Sequence, residues 1–108
     1  MSGMMTQPYE LLIEAAAYTE RKDLPGYIRH LVKRAITTLA LEPRPHTSEA
    51  LDTTGLDVPR DVELRRIKLE HWRIIYAVND AEQWVWVWGV RKRPPYGYQD
   101  LTEFVARL

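Results

Sequence analysis

Arg66, Lys68 and Arg73 fall close together in the chain, and Arg91, Lys92 and Arg93 follow them, with Tyr96 and Tyr98 just behind. Cations gathered in this way suit phosphate. Arginine offers a planar fork that matches phosphate oxygens, and lysine offers a compact point charge. The same groups can stabilise charge that builds on phosphorus when a phosphodiester is attacked, and a tyrosine hydroxyl can carry a proton. His71 is a candidate base by residue type, the plainer alternative being an exposed turn residue. The chain has no cysteine, which excludes a disulfide and a thiolate nucleophile. His30, His46 and His71 are too scattered to form a metal-ligand spacing. Chemistry without metal or cofactor is the expectation.

These residues must be held by something, and Leu64 to Tyr98 supplies the elements. Ile, Val, Trp and Tyr crowd three runs, interrupted at Glu70-His71 and at Asn79-Asp80-Ala81-Glu82. Such residues fit a pleated, half-buried surface, which predicts an antiparallel meander over 64–69, 72–78 and 83–90. With Glu70-His71 as a two-residue turn, Leu69 faces Trp72, Lys68 faces Arg73, Ile67 faces Ile74 and Arg66 faces Ile75. Alternation along each strand then puts Ile67, Leu69, Trp72, Ile74, Tyr76, Val85 and Val87 on one face. Arg66, Lys68, Arg73, Ile75, Trp84, Trp86 and Trp88 take the other.

Lys68 opposite Arg73 is the informative pair, because like charges across a ladder destabilise it. An anion between them removes that penalty. The alternative is that both cations turn to water or meet acids elsewhere in the chain. Trp84, Trp86 and Trp88, with Arg91 beside them, can be a stacking and contact surface for RNA bases or for a protein partner. A third option for the tryptophans is core packing under a loop or the C-terminal helix.

The rest of the chain supplies layers. Tyr9–Ile13 reads as a short first strand at the sheet edge, and 15–22 as a helix. A second helix over about 25–41 starts at Pro25, with Asp23 near the N-cap position. Its stripe of Ile28, Leu31, Val32, Ala35, Ile36 and Leu39 is expected to pack on the apolar face of the sheet. Glu42-Pro43-Arg44-Pro45 ends it, and 46–61 reads as a long polar connection. Leu101, Phe104, Val105 and Leu108 outline a short C-terminal amphipathic helix. The expected class is α+β: one domain over 1–108, a small antiparallel meander sheet with two N-terminal helices packed on one face and a short C-terminal helix.

Fifteen basic and fifteen acidic residues cancel, yet from Arg65 to Arg93 seven Lys or Arg stand against Glu70, Asp80 and Glu82. A local basic face is expected without a basic molecule. No apolar run has the length of a membrane span, and the start lacks a signal-peptide core, so a cytoplasmic location is expected.

The order Arg66-Ile67-Lys68-Leu69, Trp72-Arg73-Ile74-Ile75-Tyr76, a Val-rich strand, then Arg91-Lys92-Arg93 and a tyrosine resembles the RelE/ParE toxin superfamily of type II toxin–antitoxin modules. The resemblance reaches upstream to about Tyr9. It implies a ribosome-dependent mRNA interferase that represses translation, in which the 2′-hydroxyl of mRNA in the A site attacks the adjacent phosphate. On that pattern Arg66 and Lys68 hold the RNA backbone and help deprotonate, and Arg73 stabilises the phosphorane. Arg93 binds phosphate, and Tyr98 or Tyr96 stacks on a base and aids proton transfer, with His71 and Lys92 as accessories. The implied partners are a cognate antitoxin, the ribosome with its mRNA, and operator DNA only through the antitoxin complex; no membrane is implied. Neutral net charge, Glu70-His71 and the Pro94-Pro95-Tyr96-Gly97-Tyr98 spacing depart from the pattern. The alternatives are a gyrase-poisoning toxin of the ParE branch, without nuclease chemistry, and a non-toxic nucleic-acid-binding relative.

Overall fold

A computed structural model of the chain describes residues 8–92 and 98–108, with backbone alone at 98–100. Its elements in order are β1 (Glu10–Ile13), α1 (Ala15–Lys22), α2 (Gly26–Thr38), β2 (Ser48–Ala50), β3 (Val62–Leu69), β4 (Trp72–Asn79), β5 (Trp84–Lys92) and α3 (Tyr98–Ala106). The sheet has five strands in the order β1-β5-β4-β3-β2. Strands β3, β4 and β5 are the antiparallel meander that the sequence predicts; β3 begins two residues earlier, β4 ends one residue later, and β5 begins one later and ends two later than expected. Edge strands flank it on both sides. β1 runs parallel to β5, with Leu11 opposite Val85 and Ile13 opposite Val87, which makes the sheet mixed.

β2 lies within 46–61, where the sequence predicts a polar connection and no strand. It pairs antiparallel with β3 through Ser48↔Ile67, Glu49↔Arg66 and Ala50↔Arg65. Beyond it Leu51, Leu56 and Val58 are half-buried and pack against the buried residues of the second face.

The first face carries Ile67, Ile74, Tyr76, Val78, Val85, Val87 and Val90 under α1 and α2, which contribute Ala17, Leu24, Ile28, Val32, Ile36 and Leu39. Leu31, at the margin of the α2 stripe, is 38% exposed. Asp23 is the C-cap of α1 and not an N-cap, its backbone N–H donating to the Glu20 carbonyl. α2 instead starts at Pro25, whose carbonyl accepts from Arg29 N–H at 2.9 Å; proline presets φ there and has no N–H to leave unpaired.

The second face is divided. Leu64, Ile75, Ala77, Trp88, Leu101 and Phe104 form a second core, closed by α3 and the segment after β2. The other half, toward the β3–β4 turn, keeps its cations. A network at the far end of the sheet ties the layers together. Arg44 donates to Glu63 at 2.8 Å and to both Asp80 oxygens at 3.0 and 2.8 Å, and Tyr9 donates to Asp80 at 2.7 Å. These bonds join the approach to β1, the α2–β2 connection, β3 and the β4–β5 turn.

Candidate functional site: a cationic row across three strands

Hydrogen-bond register puts Lys68 of β3 directly opposite Arg73 of β4, and Arg73 directly opposite Arg91 of β5. Arg66 lies one repeat along β3 on the same face, opposite Ile75. Cations on adjacent strands repel, so the local architecture must offset that repulsion, and it does so differently at each position.

Arg73 sits at the centre and is only 7% exposed. Its Nη1 donates to the carbonyls of Glu70 and Trp72, both at 2.9 Å. The β3–β4 turn therefore holds the guanidinium in place, while Nε and Nη2 take no part in these two bonds. Glu70 reaches this turn with φ at 55°, the left-handed region that glycine enters more easily. Its carboxylate accepts from Tyr27 at 3.2 Å, which anchors the turn to α2.

Glu49 holds the β3 end of the row. It stands opposite Arg66 and accepts from Arg66 Nε at 2.9 Å and from Nη2, and its Oε1 is 3.2 Å from Lys68 Nζ. The Arg66 hydrogen bonds, then that of Lys68, keep the Glu49 carboxyl below its usual range. Glu20 of α1 holds the β5 end, pairing with Arg91 Nη1 and accepting from Val90 N–H at 3.1 Å. The sequence pointed to neither acid, because they are 17 and 71 positions from their partners.

Arg91 lies flat because β5 has no side chain beneath it. Register shifts between Ile75 and Tyr76, with Ile75 opposite Gly89 and Tyr76 opposite Val87, so Trp88 is the extra residue of a bulge. A Cβ on Gly89 would stand 2.9 Å from Arg91 Cζ and 3.1 Å from Glu20 Oε1. Glycine at 89 gives the guanidinium its bed.

Several candidates lie elsewhere. Trp88 is buried, stacked on Phe104 at 4.8 Å with Arg107 over its ring at 5.5 Å. It is a packing residue of the second core, which corrects its placement on a contact surface. Trp86 meets Phe104 edge-on at 5.9 Å and donates its indole N–H to Glu14 at 3.1 Å, and Trp84 packs edge-on against Trp86 at 6.2 Å. Both are half-buried in the same core. Leu101 and Phe104 carry the signal for this, since an amphipathic α3 must cover something apolar. Lys92 pairs with Trp72, whose parity belongs to the first face, so it lies off the row. His71 is exposed in the turn. Tyr98 opens α3, its side chain outside the described residues, and Arg93 and Tyr96 also lie outside them.

A mixed five-stranded sheet with a helical pair on one face and a terminal helix on the other is the fold of the RelE toxins. The chain resembles the archaeal RelE of a RelE–RelB complex from Pyrococcus horikoshii, at 23% identity and a TM-score of 0.68, over 82% of this chain and 99% of that one. It resembles the isolated Escherichia coli RelE toxin at 25% identity and a TM-score of 0.57, over 92% of this chain and 97% of that one. A Mycobacterium tuberculosis RelBE2 toxin–antitoxin complex gives 19% identity and a TM-score of 0.60, over 80% and 99%. No family model and no curated protein sequence matches the chain. The chain is RelE-like in fold. Among the described residues no helix is long and apolar enough to cross a membrane.

Proposed function

We propose that this protein is the toxin of a type II toxin–antitoxin module and acts as a ribosome-dependent mRNA interferase. One observation carries the reading: on a RelE fold, Lys68, Arg73 and Arg91 form a continuous cross-strand row with Arg66 beside it, on the half of the second face away from the core that α3 closes. RelE toxins are found with RelB antitoxin in the P. horikoshii and M. tuberculosis complexes, which supports a cognate antitoxin as the partner here.

In the proposed reaction the 2′-oxygen attacks the adjacent phosphorus and the 5′-oxygen leaves, giving a cyclic phosphate and a 5′-hydroxyl. One proton leaves the 2′-hydroxyl and one reaches the leaving oxygen. Arg66 and Lys68 hold the RNA backbone and help remove the first proton. Arg73, fixed by the turn carbonyls, faces the charge that develops on the phosphorane, where a preorganised donor acts most strongly. Arg93 as a second phosphate ligand, and Tyr98 or Tyr96 as stacking and proton-transfer residues, complete the proposal. The protein has no net charge to concentrate it on RNA, and alignment of the reacting atoms is left to the ribosome. Primer extension on mRNA from cells making this chain tests the reading: cuts should appear within translated regions.

A further inference from the structure

The two acids at the ends of the cationic row are not equivalent. Glu20 comes from a helix, accepts a backbone N–H as well as Arg91, and has its side chain 30% exposed. A phosphate that displaced Glu20 from Arg91 would break both bonds and leave the Val90 N–H without its acceptor. Glu49 sits on a three-residue edge strand, with its side chain 49% exposed, and among the described residues its carboxylate meets the two cations given above. Exposed ion pairs of this kind are weak. Its carboxylate also presents what a phosphate would present, an anionic oxygen shared between a guanidinium and an ammonium.

We infer that Glu49 is the internal occupant of the phosphate site, holding Arg66 and Lys68 side by side until an RNA phosphate displaces it, while Glu20 stays as the permanent counter-ion of Arg91. The row therefore opens at its β3 end. This rests on the reading of the row as a phosphate site and adds which carboxylate must yield. It also gives the balanced net charge a local consequence, because affinity for RNA is set by competition within the site.

A 2′-O-methyl RNA oligonucleotide lacks the nucleophile, so its binding can be measured apart from cleavage. Fluorescence anisotropy at low ionic strength should show Glu49→Gln binding about two- to five-fold tighter than wild type, the worth of an exposed pair. Glu82→Gln changes net charge equally, at the opposite end of the strands, and should change affinity less. Amide shifts on RNA addition should centre on Arg66 and Lys68, and the same spectra show that each variant is folded. Unchanged or weaker binding by Glu49→Gln overturns the inference, as does an equal gain in Glu82→Gln, which would indicate a whole-molecule charge effect. Loss of cleavage with unaltered binding would make Glu49 a reacting group and also overturn it. If wild type cuts translated mRNA but Glu49→Gln binds no tighter, the inference fails and the proposed function stands. If Glu49→Gln binds tighter and nothing is cut, the function fails and the site remains. No RNA binding by either protein would reject both.

Discussion

Arg91 lies directly opposite Arg73 in the β4–β5 ladder, although both are cations. Each guanidinium is held from outside the pair. The turn carbonyls of Glu70 and Trp72 take Arg73, and Glu20 takes Arg91. A scaffold with no use for the pair would gain by replacing either residue; in the proposed reading Arg73 serves the phosphate, and Arg91, kept by Glu20, closes the row at its β5 end.

Arg73→Ala should relieve growth arrest, and Arg73→Lys should lower cleavage by about 100- to 1000-fold, since the forked donor is lost in both. Circular dichroism should confirm the fold. Full toxicity in a folded Arg73→Ala protein would reject a catalytic role for this arginine.

Gly89→Ala places a methyl group where Arg91 lies. The guanidinium is the far end of a flexible side chain, so it should lift away with a stability change below about 1 kcal/mol. Displacing a site cation by about 1 Å should lower cleavage by about 10- to 100-fold. Thermal melts paired with cleavage rates check this; an unchanged rate would remove Arg91 from the site.

Phe104→Ala should cost about 3–5 kcal/mol by emptying a fully buried position between Trp86 and Trp88. Urea unfolding measures it. A cost below about 1 kcal/mol would show that α3 does not close the second core.

Asp80 is held below its ordinary carboxylate pKa, first by Arg44 and then by Tyr9. Its folded value therefore lies below the unfolded value of about 3.9. The stabilisation is present above that value and is lost as pH falls through the folded one. Asp80→Asn should remove part of the acid-side loss of stability below about pH 4 and leave the rest of the profile parallel to wild type. Melting temperature against pH reads this, and identical acid limbs would contradict it.

The meander was legible because its turn is short and its apolar residues alternate, which leaves one register that buries Ile67, Ile74 and Tyr76 together. β2 was not legible, since Ser48, Glu49 and Ala50 carry no strand signal and form a strand only because β3 offers an open edge. The parallel pairing of β1 needs a crossover through both helices, which local pattern does not reveal. Lys68 opposite Arg73 was read correctly, but the bulge at Trp88 that lets Arg91 lie over Gly89 depends on tertiary packing. Trp84, Trp86 and Trp88 show why a face assignment is not an exposure assignment: they share the face of the cations, and α3 covers them.

The central claim is that the row acts on RNA engaged by the ribosome, and a reconstituted translation reaction tests it most directly. Purified protein should cut mRNA that is being translated, cut naked mRNA poorly, and leave DNA supercoiling by gyrase unaffected. Intact mRNA together with inhibited supercoiling would contradict the account and establish a gyrase-poisoning toxin instead.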